Sequence, residues 1–457
     1  MSNALSTPLR ENERIKLIDS IRGLALLGIL LMNIMAQAQS YVFYDKMDPR
    51  QSMTGLNFFA WAGEMMFFEG TMRGLFSILF GAGTILLLTR LIKSKSGLEP
   101  ADIFYRRLLW LLVFGLLNAF VFLWPGDILY PYALCGLLLF PFRNLSPKNL
   151  LWIAFFVLAI ATYRQNSDLY HDKGIIAKGE AVAVLDAKKQ PLTDQQKEDL
   201  AAYKGLKDKA SASGILKEAQ KDEKKIKGQS YLSIFRYFTD TNMTLEGDNF
   251  YRGGIWDILL FFFIGMALYK SGFLEGKKSN ALYATIAVVG IGIGLWLNFT
   301  NKQMAYNLKF DMFEMRKQMS FRTYEIRRVF QTMGYLSVLV LAYKAIPLRK
   351  IMDLFAPVGQ MAFTNYLTQS IYTSIIFYGF GLFGTLQRYE AYYVVAAIWL
   401  FQIVTSRLWL RYYKFGPFEW VWRSLTYMKK QPMRRVATST EPTEEMTIEP
   451  TPTPVLA

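Results

Sequence analysis

Arg22 and Asn33 stand eleven residues apart in DSIRGLALLGILLMN, an otherwise apolar run at 19–33. Eleven steps of about 100° return a helix to nearly the same azimuth with a rise of about 16 Å, so a cation and a carboxamide share one helix face. Asp19, three residues before Arg22, is placed to pair with it. A guanidinium at the mouth of such a helix attracts phosphate. A carboxamide orients an acceptor or donates to a developing oxyanion, but it cannot act as a base near neutral pH. Carboxylates in or beside the apolar runs include Asp127, Asp257 and Glu69.

Each polar residue in the apolar runs also has a plain structural reading. Glu69 and Arg73 in FFEGTMRGLFSILFGAG are spaced i,i+4, which suits an ion pair. Asn118 precedes the turn Trp124-Pro125-Gly126-Asp127, where Asp127 suits a helix cap; Asp257 suits capping or pairing with Arg252. Thr364, Asn365, Gln369 and Ser370 suit hydrogen bonds between helices. Glu419 and Arg423, again i,i+4, lie beside Trp420 and Trp422 on an expected interfacial helix. The candidate catalytic set is Asp127, Asp257, Asn33 and Asn118. The candidate binding set is Asp19, Arg22, Glu69, Arg73, Asn365, Glu419 and Arg423.

Histidine and cysteine chemistry is scarce. His171, the only histidine, falls in a polar stretch and reads as a surface residue; Cys135, the only cysteine, falls in an apolar run and reads as packing. One of each builds no metal cluster. GIGIG at 290–294 is mid-span helix packing, with no strand before it to make a nucleotide loop.

The elements that must position these groups are membrane helices. The chain of 457 residues is 52% hydrophobic, 16% aromatic and 19% charged, and its apolar runs repeatedly reach the length that crosses about 30 Å of hydrocarbon. An all-α polytopic protein follows, since these runs are continuous rather than alternating. About ten spans are expected, at 17–36, 72–92, 106–124, 129–142, 148–163, 254–273, 281–298, 327–346, 355–378 and 391–411. The apolar 56–70, with Glu64 and Glu69, suits an interfacial or re-entrant segment. The first span lacks a cleavage site and reads as a retained helix.

The net charge of +16 does not point to nucleic acid. Residues 164–252 hold 16 Lys and Arg against 14 Asp and Glu, so the excess flanks the spans. Basic residues mark alternate loops, including Arg10 and Arg14, Arg106 and Arg107, Lys277 and Lys278, and Arg349 and Lys350. The positive-inside rule then puts both termini in the cytoplasm, with 299–328 as a basic exception on the outer side. Four regions result: a membrane half at 1–163, a polar extracytoplasmic insert at 164–252 with helical composition, a second membrane half at 253–428, and a disordered Pro/Thr/Glu-rich cytoplasmic tail at 429–457.

DSIRGLALLGILLMN, FFEGTMRGLFSILFGAG, GLLNAFVFLWPGDIL, FIGMALYKSGFL, VGQMAFTNYLTQS and FGPFEWVWRSLTY, in this order, resemble the YeiB-like family of bacterial inner-membrane proteins, a domain-of-unknown-function group. More distantly, the opening span is similar to that of the transmembrane acyltransferases, which move an acyl group from cytoplasmic acyl-CoA to an acceptor outside or within the membrane. The sugar-modifying branch carries a His eleven residues after the Arg, where this chain has Asn33. YeiB-like relatives carry a His where this chain has Asn118. The resemblance implies a ten-span acyltransferase-type bundle in the bacterial inner membrane. No permanently bound cofactor is implied; acyl-CoA is the co-substrate, and an envelope lipid or glycan is the acceptor. Arg22 would attract the CoA phosphates, and Asp127 or Asp257 would replace the missing histidine base. The competing expectation is a non-catalytic or transport protein on the same scaffold, which the two asparagines favour.

Overall fold

The computed structural model describes residues 15–435. Arg10, Arg14 and the tail from 436 onward lie outside the described residues. All regular elements among the described residues are helical, with one isolated antiparallel bridge between Tyr413 and Arg434. That bridge, with Arg435 N–H donating to Tyr412 O at 3.0 Å, folds residues 429–435 back on the Arg388–Tyr412 helix, so the tail expected from 429 begins as ordered chain.

Among the described residues, six helices are long and apolar enough to cross a membrane: Lys16–Ala38, Gly55–Ser94, Glu99–Val121, Tyr231–Lys270, Asn280–Asn307 and Arg388–Tyr412. A seventh crossing arises if Tyr324–Lys344 and Ile346–Met352, bent by 112°, act together. The apolar run at 129–142 instead makes the nine-residue helix Leu129–Leu137, about 14 Å long and too short to span alone. The run at 355–378 breaks at Met361 into Ala356–Gln360 and Ala362–Ser374. Residues 148–163 open a 41-residue helix, Pro147–Ala187, which Ser146 caps and which continues without a break into the polar insert.

Apolar burial and close backbone approach hold the bundle together. Leu75, Ile78 and Leu79 of the Thr71–Ser94 helix pack with Leu260, Phe261 and Phe262 of the Ile255–Lys270 helix in one large buried cluster. Gly23 and Gly359 let the first helix meet Ala356–Gln360: a Cβ at Gly359 would lie 1.9 Å from Asp19 O, and one at Gly23 would lie 2.2 Å from Phe355 O. Any side chain there must drive the two helices apart.

In the insert, Asp194–Ala210 packs beside Pro147–Ala187, and Ala212–Ile226 packs on Asp194–Ala210 and on the turn at Phe43. Its acids meet the basic 299–328 segment, with Arg316–Asp172 at 3.3 Å and Lys317–Glu180 at 2.6 Å. Local pairing thus gives these cations a use independent of membrane sidedness. The bundle has two polar ends. A basic end carries Arg22, Arg90 and Arg107; an insert end carries Asn33, Asp127, Glu246 and Asp257.

Candidate functional site: two cavities that share a wall

At the basic end, a cavity of about 260 Å³ has Arg22, Arg90, Arg107 and Arg423 on its walls, with an interior that includes Leu79, Leu108 and Leu111. Arg22 pairs with Asp19 at 2.9 Å, as its spacing predicts. Arg107 lies 3.6 Å above the Trp422 ring, and the indole N–H donates to Arg107 O at 2.9 Å, which fixes the guanidinium. Arg423 stands over Phe415 at 4.4 Å. Glu419 turns inward to cap the Ala362–Ser374 helix. Its carboxylate accepts from Phe363 N–H at 2.8 Å, from Thr364 N–H at 3.0 Å and from the Thr364 hydroxyl.

At the insert end, a cavity of about 210 Å³ gathers Asn33, Arg73, Asp127, Glu246 and Asp257 with Tyr41, Tyr44 and Trp124. Tyr132 lines both cavities. Tyr366 lines the basic-end cavity, and its hydroxyl reaches through the partition to donate to Asp127 Oδ1 at 3.3 Å. The Tyr366 oxygen also accepts from the Trp124 indole at 3.2 Å and from Ile128 N–H at 3.1 Å. Arg22 and Asn33 line different cavities, with Tyr132 and Tyr366 between them instead of one continuous track.

Asp127 is the most chemically suggestive group here. It caps the following helix through Tyr130 N–H at 2.8 Å, and Asn118 Nδ2 donates to its other oxygen at 2.7 Å. Burial pushes its carboxyl up to about 7; the hydrogen bonds from Tyr130, Asn118 and Tyr366 pull the other way and only partly offset that cost. Asn118 does not line either cavity: it sits in the π-helical turn Leu117–Val121 and positions Asp127. Glu246 also comes from a π-helical stretch, Thr244–Gly254. The wider turn rotates such side chains out of the ordinary helical register.

The expected Glu69–Arg73 pair does not form. The i,i+4 spacing assumes one continuous helix, but Gly70, at φ +70°, ends one turn and starts another, and a Cβ there would lie 2.7 Å from Arg328 Nε. Glu69 pairs with Arg327 and accepts from Tyr324 at 2.8 Å. Arg73 pairs at 2.9 Å with Asp257, which also pairs with Arg328 in place of the expected Arg252. Arg328 further bonds Glu325 at 3.1 Å and Gly70 O at 3.1 Å. Asp257 thus carries two guanidiniums, Arg73 and Arg328. Asn365 donates to Ser406 at 2.9 Å and to Val358 O at 3.2 Å and reaches neither cavity.

Arg107, Tyr132, Tyr366 and Glu246 are absent from the sequence candidates. Tyr366 lies inside the quoted VGQMAFTNYLTQS, and an aromatic hydroxyl in a span is the available signal. Glu246 has none, being one acid among many in the insert.

A family described as protein of unknown function (DUF418) matches residues 268–429. Over 447 residues, the chain is 31% identical to "Uncharacterized protein YxaH" of Bacillus subtilis (strain 168), covering 94% of this chain and 98% of the relative. It is 28% identical over 428 residues to "Uncharacterized protein YeiB" of Escherichia coli (strain K12), covering 91% and 96%. No solved structure matches the chain.

Proposed function

The chain belongs to the YeiB-like DUF418 family, whose activity its description leaves unknown, and we propose that it is a membrane-embedded acyltransferase taking acyl groups from cytoplasmic acyl-CoA to an envelope acceptor. The observation that carries this reading is the pair of cavities on either side of Tyr132 and Tyr366, with arginines at one mouth and the buried Asp127 carboxyl at the other.

The basic-end cavity suits an acyl-CoA. Guanidiniums attract its phosphates, and the leucine-lined interior suits an acyl chain. Asp127 acts as general base toward the acceptor, and Asn33 orients that acceptor. In this reading the basic end faces the cytoplasm of a bacterial inner membrane, as do both termini. The ten expected spans of an acyltransferase-type bundle are completed by the short and broken helices near the partition. The alternative, a non-catalytic or transport protein, draws its support from the closed partition and from the asparagines at positions 33 and 118.

Isothermal titration of acetyl-CoA and longer acyl-CoAs into purified protein tests the proposal. Arg22→Ala is expected to weaken binding about tenfold, the loss of one charge-assisted contact of about 1.5 kcal/mol. Absence of binding at millimolar acyl-CoA would overturn the reading.

A further inference from the structure

Among the described residues, three carboxyl groups, Asp127, Glu246 and Asp257, and one guanidinium, Arg73, line the insert-end cavity. Arg73 is paired with Asp257, and its Nε is buried without a hydrogen bond among the described residues. Asp127 is held by neutral donors alone: an amide, a backbone N–H and a phenol. Glu246 has no ion pair or hydrogen bond among the described residues. Its residue is 7% exposed, and its Oε2 is buried without a partner. Asn118 Oδ1, behind Asp127, is likewise buried and unpartnered among the described residues. An unmade hydrogen bond in such a place carries a full desolvation penalty, so a ligand that brings donors is favoured.

Part of the remaining wall is aromatic. Tyr41 and Tyr44 stack with centroids 5.8 Å apart, and Trp124 and Phe250 lie on the same lining beside aliphatic residues such as Ile29, Met32 and Leu245. Ring faces attract cations, and an ammonium brings three N–H donors with its charge. A neutral polyol brings donors without the charge, and a phosphate brings neither.

We infer that the insert-end cavity binds a primary ammonium group, with Glu246 and Asp127 as its counter-ions and Tyr41, Tyr44 and Trp124 as its aromatic walls. The inference rests on the transfer reading only for its consequence, that the acyl group ends on nitrogen. In that step Asp127 first takes a proton from the ammonium. The amine lone pair then attacks the thioester carbonyl carbon, a C–N bond forms as the C–S bond breaks, and the thiolate leaves. The nitrogen loses a second proton, one proton goes to the CoA thiol and one to solvent, and the products are an amide and CoA.

The test uses full-length protein in phosphatidylglycerol nanodiscs, titrated with ethanolamine, ethylene glycol and choline. Ethanolamine is expected to bind at least tenfold more tightly than ethylene glycol, and more tightly than choline, which has no N–H donor. Glu246→Gln is expected to cost at least tenfold in ethanolamine affinity, with Glu246→Asp retaining part of it. Equal affinity for ethanolamine and ethylene glycol, or ethanolamine affinity unchanged in both Glu246 variants, overturns the inference. In discs that also contain phosphatidylethanolamine, retention of that lipid by native mass spectrometry assigns a lipid headgroup as the amine. Ethanolamine binding without lipid retention assigns a soluble amine. Acetyl-CoA titrated into the parent protein separates the two ideas: CoA binding without amine binding overturns only the amine site, and amine binding without CoA binding overturns only transfer.

Discussion

Asp127→Asn is expected to slow acyl-CoA turnover by about 10²–10⁴-fold, the range supplied by a positioned general base, with acyl-CoA affinity within about twofold of the parent. The carboxamide keeps the size of the side chain and an oxygen for Tyr130 N–H, so the local turn survives. It cannot take a proton. Because burial holds the Asp127 carboxyl up near 7, turnover by the parent should rise with pH through about 7 and level off above it. The variant's residual rate should lack that limb. Stability runs the other way. A carboxyl whose folded value lies above its unfolded value of about 3.9 favours the fold while protonated, and that contribution is lost as pH rises through about 7. At pH 8 the neutral variant is therefore expected to melt no lower than the parent. A lower melting temperature at pH 8 would attribute the lost turnover to folding and remove Asp127 from its role.

Arg328→Met is expected to give the largest loss of stability, on the order of 3–5 kcal/mol, because it strips a buried network of its central cation. Arg328 is fully buried, pairs with Asp257 and Glu325, and donates to the Gly70 carbonyl. Removing the guanidinium leaves Glu325 with the hydrogen bond from Gln165 but no ion pair, and leaves Asp257 to Arg73 alone. Thermal unfolding in detergent should show the loss. Adding Glu325→Gln to Arg328→Met should recover a large part of it, since the penalty comes from an unpaired buried charge rather than from a missing contact. If the double variant is no more stable than the single one, side-chain packing of Arg328 matters more than its charge.

What the sequence makes legible follows the reach of local geometry. The Asp19–Arg22 pair depends only on an unbroken helix from Lys16 to Ala38, and it forms. Asp127 as a cap depends only on the short Pro-Gly turn before it, and it also holds. The i,i+4 pairing of Glu69 with Arg73 requires the same continuity across Gly70, where the backbone turns left-handed. Glu419 and Arg423 do share a helix, but their spacing does not reveal that N–H groups at the start of Ala362–Ser374 donate to the Glu419 carboxylate. Arg327 and Arg328 fall at the start of the expected span 327–346, whereas Glu69 and Asp257, which they pair with, are distant in sequence. Glu246 owes its position to a π-helical stretch, for which composition offers no signal. The coarse membrane character is legible from apolar run length. Short and broken helices such as Leu129–Leu137 are not, since a run of apolar residues does not reveal where a helix stops.

The partition of Tyr132 and Tyr366 has an electrical consequence. Arg22 keeps 28% of its side chain exposed at one cavity and Arg73 keeps 37% at the other, so solvent reaches both walls. In a membrane carrying a voltage, the potential then falls mainly across the tyrosines instead of evenly over about 30 Å of hydrocarbon. A charge that passes them crosses nearly the whole field, about 2.3 kcal/mol for each 100 mV. In the proposed transfer, the side to which Asp127 would release its proton decides whether the voltage assists the step or opposes it.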